Sequence, residues 1–325
     1  MSGLLQVDGL RVRLPTPAGP ATVVDGIDYR VDPGEVFGIA GESGSGKTMS
    51  VLALMGLLPP GAAVEGHAVF EGSDLMRLRP RQLRQICGRK LAMVFQDPMT
   101  SLHPMLSVGA QLTEHVRQHL GLGRRDAAGR ALELLREVRI PDPGGAVHAF
   151  PHQFSGGMRQ RIAIAVALAC RPTLLVADEP TTALDVTVQA GIIRLLDRLR
   201  RESGLTIVLI SHDLGVLSAI ADRVAIFYAG RIVEAGSRSD VLSRPRHPYT
   251  RGLLDALPHP HAAAAPLVAI QGAPPAPLHV PPGCAFHPRC RYALESCREA
   301  VPPLVSVNGR ALACPVDPFR PEART

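Results

Sequence analysis

No apolar run in this chain approaches the ~18 residues needed to cross a bilayer, and no basic, apolar leader ending in small residues opens it. Those two absences predict a protein that works in the cytosol and does not span a membrane. Lysine is nearly missing, with two among 35 basic residues. The other 33 are arginines, which fits an arginine-favouring composition better than a function. The net charge of +6 does not choose between nucleic acid and anionic lipid. No repeat of 20 to 50 residues is visible, which excludes a solenoid or propeller. The six cysteines include no C-x2-C pair, so a standard zinc ribbon is disfavoured, and in a cytosolic chain they do not predict a disulfide framework.

What is present starts with Gly41-Glu42-Ser43-Gly44-Ser45-Gly46-Lys47-Thr48, which matches G-x-x-x-x-G-K-[ST]. Glu35 to Ala40 reads as a buried strand feeding into it, and Met49 to Leu58 as an apolar helix leading out. Strand, glycine turn and helix make a phosphate cradle: glycines admit close backbone approach, successive N–H groups converge on oxygen, and the helix N-terminus adds partial positive charge. Lys47 is placed to reach β and γ phosphates, and the Thr48 hydroxyl to hold Mg²⁺. With lysine so scarce, Lys47 is not an accident of composition.

At 325 residues, 46% hydrophobic and 20% charged, the chain predicts one main globular domain with an appendage. Leu4 to Leu14 and Thr22 to Val31 read as an antiparallel flap joined by a loop, Pro15 to Pro20. The arginine-rich stretch Arg77 to Lys90 has no interleaved aromatic residue, so it reads as a solvated helix face rather than a nucleic-acid patch. Leu91 to Phe95 is a second buried strand, and Val108 to Val138 reads as helices broken at Gly121 to Gly123. Pro141 to Gly145 is expected as a loop. Ser155 is an N-cap opening a helix to about Cys170. Thr173 to Ala177 is a strand delivering Asp178 and Glu179, Val186 to Arg200 an amphipathic helix, and Leu205 to Ile210 a strand delivering Ser211 and His212. Strands alternating with helices imply a parallel sheet with its ligand at the strands' carboxyl ends. Arg223 to Tyr228 and Arg231 to Glu234 form a hairpin turned by Ala229-Gly230, and Pro258 to Pro282 reads as an irregular linker.

A strand-end aspartate with an adjacent carboxylate suits a Walker B element, in which Asp178 helps hold Mg²⁺ and Glu179 polarises water. Phe154-Ser155-Gly156-Gly157-Met158 supplies a second anion-ready helix N-terminus. Together with Gln96, Ala183-Leu184-Asp185 and His212, these stretches resemble, in order and spacing, the ATP-binding subunits of ABC transporters over residues 1 to about 240. The fold that the resemblance implies is α/β: a P-loop NTPase of ABC type with an antiparallel β flap and a helical insertion at about 97–160. It implies Q-loop Gln96 at the Mg²⁺ and the attacking water, signature residues Ser155, Gly156 and Gly157 and D-loop Asp185 at the nucleotide, and a switch His212.

Three further stretches, Phe95 to Pro104, His247 to Leu254 and Pro282 to Cys290, are similar to the ATPase subunits of bacterial oligopeptide and dipeptide importers. The expected division is therefore an ATPase domain over 1–258 and a cysteine-rich extension over 259–325. The likeness implies a second ATPase subunit paired head to tail, a heterodimer being expected, with each ATP gripped by one P-loop and the opposite signature helix. It also implies two membrane permeases, an extracytoplasmic peptide-binding protein met only indirectly, no nucleic-acid partner, and a peripheral location on the cytoplasmic face of the membrane. Leu14 stands where the family usually has an aromatic residue to stack on adenine, a loss of about 1–2 kcal/mol.

In the extension, Cys284, Cys290, Cys297 and Cys314 are spaced Cys-x5-Cys-x6-Cys-x16-Cys. Four thiolates suit a structural Zn²⁺ or a [4Fe–4S] cluster, and the resemblance favours iron–sulfur. Two other readings stay open here. One is a soluble ABC ATPase acting on ribosome or DNA, a class that usually carries two cassettes or a long coiled coil. The other is a metal-dependent regulatory module in which the tail is primary.

Overall fold

The computed structural model describes residues 3–97, 101–182, 184–257 and 269–319. Pro98, Met99 and Thr100 of the stretch Phe95 to Pro104, Ala183 of the expected D-loop and residues 258–268 of the expected linker lie outside them. The chain forms two compact units, one of residues 1–31, 37–76 and 211–325, the other of 32–36 and 77–210. The strands are β1 (Leu5–Thr16), β2 (Gly19–Val31), β3 (Val36–Ala40), β4 (Ala63–Phe70), β5 (Ser73–Asp74), β6 (Leu91–Val94), β7 (Leu174–Asp178), β8 (Thr206–Ile210), β9 (Arg223–Tyr228), β10 (Arg231–Ser237), β11 (Val305–Val307) and β12 (Arg310–Leu312).

In the first unit, β1 and β2 pair antiparallel from Leu5 opposite Val31 to Thr16 opposite Gly19, and β4 lies on the other side of β1. Leu5, Val7, Leu10 and Val12 are fully buried, giving the flap an apolar face. The hairpin runs further than its sequence suggests, because Pro15 pairs with Pro20 beyond Arg13, the last residue that β4 engages. A proline is tolerated there since no second neighbour needs its missing N–H. The strand β3 is buried throughout and pairs in parallel with β9, from Phe37 opposite Arg223 to Ala40 opposite Ile226. The expected hairpin of β9 and β10 is present, turned by Ala229 and Gly230 at φ 46° and 80°.

The extension adds strands that composition did not suggest. β12 pairs with β10, setting Glu234 opposite Leu312, and β11 pairs with β12 around Asn308-Gly309. Asn308 and Gly309 have φ 51° and 79°, a turn whose twist matches that of the strands. The described C-terminal residues therefore add two strands beside β10 instead of trailing from it.

In the second unit β6, β7 and β8 pair in parallel and are buried along their length. The helices expected over 108–138 are Val108–Leu120 and Arg124–Glu137. Ser107 accepts the Ala110 N–H at the first helix's start, and Gly121 at φ 65° ends it. Pro141 to Gly145 is not a plain loop: Pro143–Ala146 makes a helical turn because the Asp142 carboxylate accepts the Gly145 N–H at 3.0 Å. Within the arginine-rich stretch, helix Pro80–Ile86 buries none of its residues, as a solvated face requires. No described helix is long and apolar enough to cross a membrane.

Candidate nucleotide site

The first unit carries the P-loop, and its geometry explains its glycines. At Gly41 a Cβ would stand 2.2 Å from the Phe227 carbonyl oxygen, and at Gly46 it would stand 2.3 Å from that of Val23. Both residues also have positive φ, 148° and 99°. Gly46 caps helix Lys47–Leu54 with no side-chain hydrogen bond, so the first-turn N–H groups keep no capping side chain. The helix begins two residues before the expected Met49 and stops at Leu54 rather than Leu58. The left-handed Gly46 lets the turn wind straight into helical geometry.

Lys47 is buried, and its Nζ donates to the carbonyls of Gly41 at 2.8 Å and Glu42 at 2.9 Å. Its ammonium is thereby folded over the loop's own backbone. The Glu42 N–H donates to the Tyr249 hydroxyl at 2.8 Å. Its carboxylate receives a two-armed bond from the Arg289 guanidinium, at 2.7 and 2.9 Å. Burial pushes the Tyr249 phenol well above its ordinary pKa, and the Glu42 carboxylate holds Arg289 firmly charged. Neither Tyr249 nor Arg289 was singled out in the sequence, because their partner is more than 200 residues away. Exposed His212 follows β8, and the N–H of its neighbour Ser211 donates to Ile39 of the P-loop strand at 3.0 Å.

The second unit carries the carboxylates. Asp178 is buried at the end of β7. Glu179 has φ 46°, a strained conformation for a non-glycine residue that the surrounding bonds maintain. Its N–H donates to the Ile210 carbonyl at 2.9 Å, and one carboxylate oxygen accepts from Gln96 Nε2 at 2.8 Å and from Thr182 Oγ1 at 2.9 Å. The sequence marked Gln96 and Glu179 83 residues apart, and the fold brings them together. Thr182 was missed.

Ser155 opens helix Gly156–Ala167 as expected, accepting the Met158 N–H. A Cβ on Gly157 would stand 2.5 Å from the Val188 side chain, so this glycine permits close packing with helix Val186–Ser203. Asp185 caps that helix, accepting the Val188 N–H at 2.9 Å. Its side chain therefore has a structural task, beside any contact to nucleotide expected of it.

In the extension, Cys284, Cys290, Cys297 and Cys314 are free thiols. Burial pushes Cys284 and Cys314 up to about 11 and raises Cys290, and the other cysteines add to each shift. A backbone N–H pulls each of these three the other way, that of Phe286 at Cys284, that of Tyr292 at Cys290 and that of Val316 at Cys314. The thiols thus lie within one another's field. Even so, among the described residues no three His, Cys, Asp or Glu side chains are arranged to hold a metal ion, so the geometry does not supply the expected metal centre.

The chain matches known proteins along nearly its full length. The ABC transporter family profile covers residues 24–182, and the oligopeptide/dipeptide transporter C-terminal region profile covers 233–297. The oligopeptide transport ATP-binding protein OppD of Haemophilus influenzae is 47% identical, over 95% of this chain and 95% of its own. The dipeptide transport ATP-binding protein DppD of Escherichia coli strain K12 is 46% identical, over 96% of each chain. Among solved structures, a dimeric ATP-binding cassette in a post-hydrolysis state with ADP and Pi matches at a TM-score of 0.63 and 27% identity, covering 72% of this chain and 98% of that one. With its phosphate cradle, its paired Gln96 and Glu179 and these full-length matches, the chain belongs to the family of ATP-binding subunits of oligopeptide and dipeptide ABC transporters.

Proposed function

We propose that this ATPase is one of two cassette subunits that drive a membrane importer of di- and oligopeptides. The observation that carries the reading is the match of the whole chain, C-terminal region included, to peptide-transport ATPases. A soluble ATPase working on ribosome or DNA has no reason to carry that region, and a module in which the tail alone acts has no reason to keep the P-loop. The partners in this reading are a second ATPase subunit, different from this one, two permeases, and a peptide-binding protein reached only through them. Nucleic acid plays no part. The chain sits peripherally on the cytoplasmic face of the membrane, with the helices at 108–137 as the permease dock.

In the chemistry proposed, the backbone N–H groups of Gly41 to Thr48 and the Lys47 ammonium hold the β and γ phosphates. The Thr48 hydroxyl, Asp178 and Gln96 offer hard oxygens suited to Mg²⁺, which neutralises phosphate charge when bound. Glu179, oriented by Gln96 and Thr182, takes a proton from the attacking water, and His212 stabilises charge developing on the γ phosphate. Ser155, Gly156, Gly157 and Asp185 serve the nucleotide held by the second subunit's P-loop.

Cys284, Cys290, Cys297 and Cys314 are proposed as a [4Fe–4S] ligand set, with Zn²⁺ as the alternative. Support comes from the donor set itself, four thiols spaced Cys-x5-Cys-x6-Cys-x16-Cys, which suits either centre once deprotonated. Anaerobically purified protein is expected to be brown, and Cys290→Ser to bleach it. Colourless protein with one zinc per chain selects the alternative, and metal-free protein removes both.

The transporter reading is tested by purifying the native complex from membranes. Two permeases and a second ATPase should co-purify, whereas ribosomes or DNA in their place would overturn it.

A further inference from the structure

We infer that the C-terminal region at 233–297 is a working part of the nucleotide site, with Arg289 and Tyr249 as positioning residues that set the P-loop through Glu42. The inference rests on the assignment of residues 41 to 48 as the phosphate cradle. Glu42 is the second residue of that loop, and each of its polar groups is engaged. Its carbonyl accepts from Lys47 Nζ, its N–H donates to the Tyr249 hydroxyl, and its carboxylate takes both arms of Arg289. The Gly41 and Glu42 carbonyls hold the Lys47 ammonium, so fixing the Glu42 peptide also fixes the charge that meets phosphate.

The loop needs such an anchor. Gly41, Gly44 and Gly46 all have positive φ, and glycines give a loop wide conformational freedom that binding must otherwise remove. Fixing Glu42 from outside aims the backbone N–H groups before a nucleotide arrives.

The Arg289 contact is also built rather than casual. Its side chain is 6% exposed, against 48% for Arg251 in its surface pair with Asp255. Arg289 Nε donates to the Gln271 carbonyl at 3.0 Å, and Nη1 also reaches the Tyr228 hydroxyl at 3.3 Å. The guanidinium lies 5.9 Å from the ring centres of both Tyr228 and Phe286. Tyr228, Tyr249 and Phe286 pack on one another with ring centres 4.5 to 5.3 Å apart, which locks the donor and the hydroxyl in place. An exposed ion pair holds its partner weakly, whereas a planar fork gripped on every side transmits position.

The test uses the full chain and a titration with a fluorescent ATP analogue. Arg289→Ala and Tyr249→Phe should each weaken nucleotide binding on the order of tenfold or more, as loss of one partner of a shielded charged or hydrogen-bonded pair does. Arg289→Lys should rescue only in part, since an ammonium cannot form the fork. The losses from Arg289→Ala and Glu42→Gln should merge in the double variant instead of adding. Melting temperature without nucleotide separates positioning from tail stability, because Tyr249→Phe keeps the packed ring and should move affinity far more than melting. Parental affinity in Tyr249→Phe, or additive losses in the double variant, would overturn the inference even if Arg289→Ala fails to fold. Failure of the parent chain to bind the analogue would instead refute the cradle assignment.

Discussion

Gln96 Nε2 donates to Glu179 Oε2 at 2.8 Å, tying the segment just after β6 to the carboxylate just after β7. Thr182 shares the same oxygen at 2.9 Å, so one oxygen of Glu179 is fixed by two donors. Glu179→Gln keeps the shape but cannot take a proton from water. Hydrolysis should fall by about 10² to 10⁴-fold while ATP binding persists. Single-turnover hydrolysis and analogue binding, measured on the same preparation, decide this. Near-normal hydrolysis with the partner site disabled would remove Glu179 from its role.

His212, proposed as the switch histidine, follows Ser211, whose N–H is bonded at Ile39 to the strand that leads into the P-loop. His212→Ala should reduce turnover much more than nucleotide affinity, since its contact matters as charge develops in the transition state. Equal losses in kcat and in binding would point to a disturbed loop instead.

In the proposed two-subunit arrangement a complete site takes its signature helix from the second subunit, and activity then depends on association. Specific activity of the isolated chain should rise more than linearly with concentration, or on adding a partner ATPase. Sedimentation alongside the assay checks it, and full activity from a demonstrable monomer would contradict the two-chain site.

Acid should destabilise the first unit through His247. Burial pushes this imidazole down to about 3, while a hydrogen bond to the Ala313 backbone pulls the other way. Its Nδ1 accepts the Tyr249 N–H at the start of helix Pro248–Asp255, which requires the neutral ring. A folded value below the unfolded 6.5 means that the unfolded state binds the proton first. The associated stability is complete above 6.5 and is lost as pH falls through the window toward 3, at up to about 1.4 kcal/mol per pH unit. Urea unfolding at pH 7, 6 and 5 should show that slope, and His247→Asn, which retains a capping side chain, should flatten it. An unchanged slope in the variant would assign the acid sensitivity elsewhere.

Residues close in sequence declared most of the architecture. The P-loop is legible because eight consecutive residues build it, and β3, β7 and β8 because a strand covered on both faces reads as a near-continuous apolar run. The Ser155 cap is legible for the same local reason, since its acceptor and the Met158 N–H are three residues apart. Asn308-Gly309 also carried a local hairpin signal, which the proline-rich stretch before it obscured.

Tertiary structure alone decided the rest. Nothing near Arg289 shows that its fork closes on Glu42, 247 residues earlier, and nothing near Tyr249 shows that its hydroxyl meets the same residue's N–H. An ion pair of this kind has no periodicity and no preferred spacing. It exists only because the β9–β10 hairpin, the helix Pro248–Asp255 and the extension fold against the P-loop within one unit and exclude water from the guanidinium.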